Sequence, residues 1–134
     1  MSLDINPSEK EGITILNLRG RITAGPEVAL LRERVQELAA GKNVRVILNL
    51  ADVDYIDSTG LGALVVAATK LRNVDGVAKL LNLNKRTIEL LVMTKLATIF
   101  EIFNDEQHAV NSFFPGREIK RFDILSFVQS GKKA

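Results

Sequence analysis

The stretch Asp52-Val53-Asp54-Tyr55-Ile56-Asp57-Ser58-Thr59-Gly60-Leu61-Gly62 holds most of this chain's capacity for chemistry. It sets three carboxylates, two adjacent hydroxyls and two glycines between a run of branched aliphatics and an apolar stripe at helical spacing. A dinucleotide fingerprint needs a third glycine, but Gly60-Leu61-Gly62 runs into Ala63-Leu64-Val65. A phosphate-cradling P-loop needs a Gly-Lys-Ser/Thr end, which the chain lacks. A nucleophile elbow needs glycine two residues before the serine, where Ile56 stands. A calcium loop starting at Asp52 needs an oxygen ligand at its fifth position, which is again Ile56. A divalent cation at Asp52, Asp54 and Asp57 is the remaining metal reading, and solvated carboxylates account for these residues better. What survives is a hydroxyl at a helix start. Asp57, Ser58 or Thr59 serves as the N-cap, a contribution of about 1 kcal/mol. Ser58 there faces unpaired backbone N–H groups and the positive dipole end, a setting that accepts a phosphate with little strain.

Composition removes most other chemistry. The 134 residues contain no cysteine, which excludes disulfides, thiol nucleophiles and Cys-ligated metals. The single histidine, His108, excludes a two-His metal site within the chain. A hydrolytic Ser58 would also have to recruit His108 from the polar Asn104–His108 stretch, so the chain reads as a non-enzyme. Eighteen Lys plus Arg against 16 Asp plus Glu give +2, too balanced for a nucleic-acid reader. The start, Met1-Ser2-Leu3-Asp4, lacks the basic and apolar regions of a signal peptide, and Ala63–Ala68 is too short to span a bilayer. A cytoplasmic, cofactor-free chain that binds neither membrane nor nucleic acid is the expectation.

The elements that must position Ser58 alternate between strand and helix. Leu3 and Ile5 alternate with polar residues, a turn is expected from Pro7 to Gly12, and Ile13–Leu18 forms a strand ended by Gly20. Gly25-Pro26-Glu27 opens a helix with its stripe at Val28, Leu31, Val35 and Leu38, and Gly41 stops it. Val44–Leu50 reads as a central strand buried on both faces, and the Asp52–Asp57 segment as a loop. Leu61, Leu64, Val65, Ala68 and Leu71 mark a second helix closed by Gly76, followed by a strand over Val77–Leu83. Ile88, Leu91, Val92 and Leu96 mark a third helix, Ile99–Phe103 a short edge strand, and Ala109, Val110, Phe113 and Phe114 a fourth helix. This order predicts one α/β domain: a mixed sheet of four to five strands with about four helices. After Pro115-Gly116 the pattern weakens. Ile119, Phe122 and Leu125 are helix-spaced while Phe122 and Ile124 alternate, so helix and strand both stay open, and Lys132-Lys133 reads as a solvated end.

Val46-Ile47-Leu48-Asn49-Leu50 followed by Tyr55-Ile56-Asp57-Ser58-Thr59-Gly60-Leu61-Gly62 resembles the signature of the STAS domain, specifically the bacterial anti-sigma-factor antagonists. The likeness covers about residues 3 to 114, so it divides the chain into a STAS domain over 1–114 and an extension of the same domain over 115–134. The resemblance implies that Ser58 is phosphorylated by a serine kinase that doubles as the anti-sigma factor. Unphosphorylated antagonist binds this kinase and frees a sigma factor, and a phosphatase resets the switch. It also implies a docking surface that includes Thr23, Asp57, Thr59, Gly60, Leu61 and Gly62. One departure stands out: Gly20-Arg21-Ile22 runs into Thr23 where the family often carries an acid near the phosphoacceptor. A second reading of the same fold is a STAS scaffold or accessory subunit of a stress-sensing complex or a transporter.

Overall fold

A computed structural model describes residues 3–41 and 44–124. Strands β1 (Leu3–Lys10) and β2 (Ile13–Ile22) form an antiparallel hairpin. The chain then alternates through α1 (Pro26–Leu38), β3 (Arg45–Ile56), α2 (Ser58–Arg72), β4 (Val77–Leu81), α3 (Lys85–Met93), β5 (Ile102–Phe103) and α4 (Glu106–Asn111). The sheet order is β1-β2-β3-β4-β5, with every pair after the hairpin parallel. This is the five-stranded mixed sheet expected from the alternation of elements.

Strand alternation divides the core into two layers. Leu16, Leu18, Val46, Leu48, Leu80 and Ile102 face α1, α2 and α3 on one side of the sheet. Ile13, Ile15, Ile47, Leu81 and Phe103 face α4, which contributes Ala109 and Val110. Beyond the short α4 that second face turns polar. Asn49 Nδ2 donates to Asn17 Oδ1 at 2.9 Å, and Asn17 Nδ2 to the carbonyl of Asn6 at 3.0 Å. Polar side chains bonded across strands let this part of the face meet water without a covering helix.

Several boundaries differ from the expectation, each for a local reason. The hairpin turn is only Glu11-Gly12, both at positive φ (53° and 81°), so β1 runs straight through Pro7. Pro7 is tolerated because β1 is an edge strand with one side unpaired. Gly20 does not end β2: at φ 110° it lies in a stretch where the pairing with β3 slips, and the strand continues to Ile22. The same slips let β3 continue to Ile56, so Asp52 and Asp54 are strand residues rather than loop residues. Leu96 lies beyond α3, and Ile99 donates its N–H to the Leu96 carbonyl in a turn, leaving β5 only two residues. Phe113 and Phe114 fall past the end of α4 but pack under it. Residues 117–123 are neither helix nor strand; Leu125, Phe127 and Lys132-Lys133 lie outside the described residues.

Candidate functional site

The candidate site forms where β3 ends and α2 begins, at the carboxyl edge of the parallel strands, the usual meeting place for ligands and partners in such sheets. Asp57 settles which residue caps the helix. Its backbone is extended (φ −90°, ψ −179°), and its Oδ1 accepts the Gly60 N–H at 2.7 Å. Its other oxygen, Oδ2, accepts the Ala24 N–H at 3.0 Å, and its own N–H donates to the Ile22 carbonyl at 3.3 Å. Asp57 therefore joins three places: its N–H holds the end of β2, and its carboxylate holds the entry to α1 and the first turn of α2.

With the cap assigned to Asp57, Ser58 is the first residue inside the helix and Thr59 the second, and both are exposed. The Gly60 N–H is taken by Asp57, while the amides of the first two helical residues have no partner within the helix by the geometry of any α-helix. Gly60 itself is buried: a Cβ there would lie 1.9 Å from the Ile22 carbonyl oxygen. Glycine is needed at this position so that α2 can start against the end of β2. Leu61 is also in the core, 1% exposed. Gly60 and Leu61 thus shape the surface from beneath and offer no face to a partner. Gly62 is exposed with open space around it, and Thr23 is half-buried beside Ala24. Of the positions tied to the phosphoacceptor and docking surface, Ser58, Thr59 and Gly62 are exposed, Thr23 and Asp57 are half-buried, and Gly60 and Leu61 are buried.

Two neighbours were given no role by the sequence reading. Val66 is 45% exposed one turn beyond Gly62, so Thr59, Gly62, Val66 and Thr69 make an uncharged exposed stripe along α2. The signal was present, since Val66 falls outside the apolar stripe of Leu61, Leu64, Ala68 and Leu71. Tyr55 is the second. Its ring carries the Arg21 guanidinium at 5.9 Å and that of Arg86, from α3, at 4.9 Å. Asn84 caps α3 by accepting the Thr87 N–H at 2.8 Å. It also reaches the Val53 carbonyl at 3.4 Å, so the β4–α3 turn borders the same site.

Asp52 and Asp54 are exposed on β3 and Asp57 is used as a cap. Among the described residues no group of three or more acidic or histidine side chains converges as a metal site would. His108 sits on α4, which packs on the sheet face opposite α2, 4.0 Å from Asp105. Ser58 therefore has no imidazole beside it to act as a base. No helix among the described residues is long and apolar enough to cross a membrane.

This constellation of a helix-start serine, a capping aspartate and a five-stranded mixed sheet matches a known family. The STAS domain model covers residues 4–109, and the chain belongs to the STAS domain family. It is 34% identical over 103 residues to an anti-sigma-B factor antagonist of Bacillus subtilis, spanning 76% of this chain and 92% of the relative. A protein of the same description in Listeria monocytogenes is 32% identical over 108 residues, 79% of this chain and 91% of the relative. The fold matches the crystal structure of an anti-sigma factor antagonist from Mycobacterium paratuberculosis with a TM-score of 0.70 at 18% identity, covering 82% of this chain and 92% of that one.

Proposed function

We propose that this chain is a cytoplasmic anti-sigma-factor antagonist, a binding regulator whose affinity for a serine-kinase anti-sigma factor is switched by phosphorylation of Ser58. Unphosphorylated, it holds the kinase and a sigma factor is released; a phosphatase restores this state. The single observation that carries the reading is the division of labour at the α2 start. Asp57 does the capping, so the exposed Ser58 hydroxyl is free to change its charge without removing the bond that fixes the helix. The relatives named as antagonists of anti-sigma-B factor support the functional class.

The physical effect of the modification follows from its charge. A phosphate near −2 at the helix start is favoured within its own molecule by up to ~2 kcal/mol, because unpaired N–H groups and the dipole meet it. Against an acidic group of the partner about 6 Å away, each pair of unit charges costs roughly 3 kcal/mol at an effective dielectric near 20. About 4 kcal/mol corresponds to a thousandfold in affinity, so one phosphate is enough to open the complex. The docking surface comprises Ser58, Thr59, Gly62 and Val66 along α2 with Thr23 at its edge, held in shape by Asp57, Gly60 and Leu61.

The test is to incubate the purified chain with each serine-kinase anti-sigma factor of the source genome and ATP, then map the product by mass spectrometry. A single phosphate on Ser58, absent in Ser58→Ala, is the expected result. Phosphate confined to Thr59, or no modification by any of these kinases, contradicts the proposal.

A further inference from the structure

The carboxyl edge of the sheet carries a second constellation beside Ser58. Because β2, β3 and β4 are parallel, the entries to α1, α2 and α3 all lie on this edge. Tyr55, the only tyrosine of the chain, stands near the end of β3, two residues before Asp57. Two guanidinium groups from elements remote in sequence meet over its ring. Arg21 comes from the end of β2 at 5.9 Å, and Arg86 from the first turn of α3 at 4.9 Å. Arg21 adjoins Ile22, whose carbonyl accepts the Asp57 N–H, so the cluster is tied to the strand ends that hold the helix start of Ser58.

This cluster differs from ordinary surface charge in three ways. Both arginines are exposed, and among the described residues neither pairs with a carboxylate. Arg86 reaches the Tyr55 ring rather than Glu89, one turn further along α3. Second, Lys85 and Arg86 open α3 at the positive end of its dipole, with no acidic residue in that turn. Cations there cost helix stability instead of adding to it, and a local rule broken without internal gain marks a position kept for binding. Third, a guanidinium held over a ring keeps its N–H donors for a planar carboxylate and has less freedom left to lose on binding. Tyrosine and arginine are also the residue types that most often carry the energy of an interface.

We propose that Arg21, Tyr55 and Arg86 form a docking subsite for an acidic segment of the partner, which on the function proposed above is the serine-kinase anti-sigma factor. The two guanidinium groups take carboxylates of that segment. The same acidic face then supplies the negative charge on which the Ser58 switch depends: carboxylates drawn in by the arginines are repelled once Ser58 carries a phosphate.

The test uses the full unphosphorylated chain and the kinase that modifies Ser58. Arg21→Gln and Arg86→Gln are each expected to lower affinity about tenfold, and the double variant roughly a hundredfold, with unfolding midpoints close to that of the wild type. Wild-type affinity is expected to fall as salt rises from about 0.05 to about 0.3 M, and that of the double variant to respond less. In the complex, Arg21→Lys treated with a carbodiimide is expected to couple through the new amine to an Asp or Glu of the kinase, located by mass spectrometry. Wild-type affinity in the double variant, or no coupling of Arg21→Lys to a kinase carboxylate, would overturn the subsite while leaving the phosphorylation switch standing. Affinity lost only in step with a lowered midpoint would assign the cluster to the fold and overturn it too. A wild-type chain that none of the kinases binds would overturn the function and the subsite together.

Discussion

Asp57 and Gly60 show how much of the site is settled by one capping carboxylate and one close backbone approach. Asp57→Ala removes acceptors from the Gly60 and Ala24 amides at once, so both the first turn of α2 and the entry to α1 loosen. A loss of about 2 kcal/mol is expected in denaturant titration. Gly60→Ala is expected to be worse, about 3 kcal/mol, because its Cβ would collide with the Ile22 backbone, which the sheet holds in place. Gly62→Ala, inside the same helix with open space around the new methyl, should raise the midpoint, by about 0.5–1 kcal/mol of stability. Equal midpoints for Gly60→Ala and Gly62→Ala would show that the close approach of α2 to β2 is not rigid. A hydroxyl at a helix start was legible in the order of residue types, whereas the assignment of the cap to Asp57 rather than Ser58 or Thr59 was not. Nor was the burial of Gly60, because its reason lies on Ile22, a residue remote in sequence and close only after β2 and β3 have paired.

Elements carry the next set of consequences. The alternation of strand and helix was readable because the apolar positions keep their periods over most of the chain. It failed where pairing slips: buried Leu50, Val53 and Ile56 are three apart, which breaks the two-residue rhythm and disguises the end of β3 as a loop. Residues 117–124 were unreadable for another reason: they are held by ion pairs, a few hydrogen bonds and only two apolar side chains, Phe122 and Ile124, too few to set a period. Those ion pairs predict acid sensitivity. Burial pushes Glu101 upward, but hydrogen bonds from Lys79 and Arg121 outweigh it, and its carboxyl sits below the ordinary 4.5. Glu11 is held below 4.5 as well, chiefly by its hydrogen bond from Arg117. A carboxyl depressed on folding stabilises fully above its unfolded value and stops doing so as pH falls through its folded one. Thermal midpoints should therefore be level near neutrality and drop below pH 4.5. Glu101→Gln should be less stable than wild type at neutral pH and converge with it in acid; a constant gap at all pH values would remove the charge from the explanation. On α2 the exposed stripe makes a different prediction. Val66→Asp should leave the fold intact and weaken kinase binding at least tenfold, since a charge is then desolvated in the interface. Unchanged affinity in a titration would exclude this face of α2 from docking.

At the scale of the whole molecule, the proposed switch places its regulation at one exposed helix start on the STAS fold. The sheet buries the apolar runs on both faces, α1 and α2 pack side by side, and Asp57 locks their entries together. Under the proposed function, a charge added at the exposed Ser58 is expected to cost the complex rather than the fold. The most direct measurement is the affinity of a single purified preparation, before and after stoichiometric phosphorylation of Ser58, for the kinase that modifies it, followed by calorimetry with thermal unfolding recorded in parallel. The expected result is a loss of affinity of about a thousandfold with an unfolding midpoint that does not fall. Equal affinities in the two states, with the phosphate confirmed on Ser58, would contradict it.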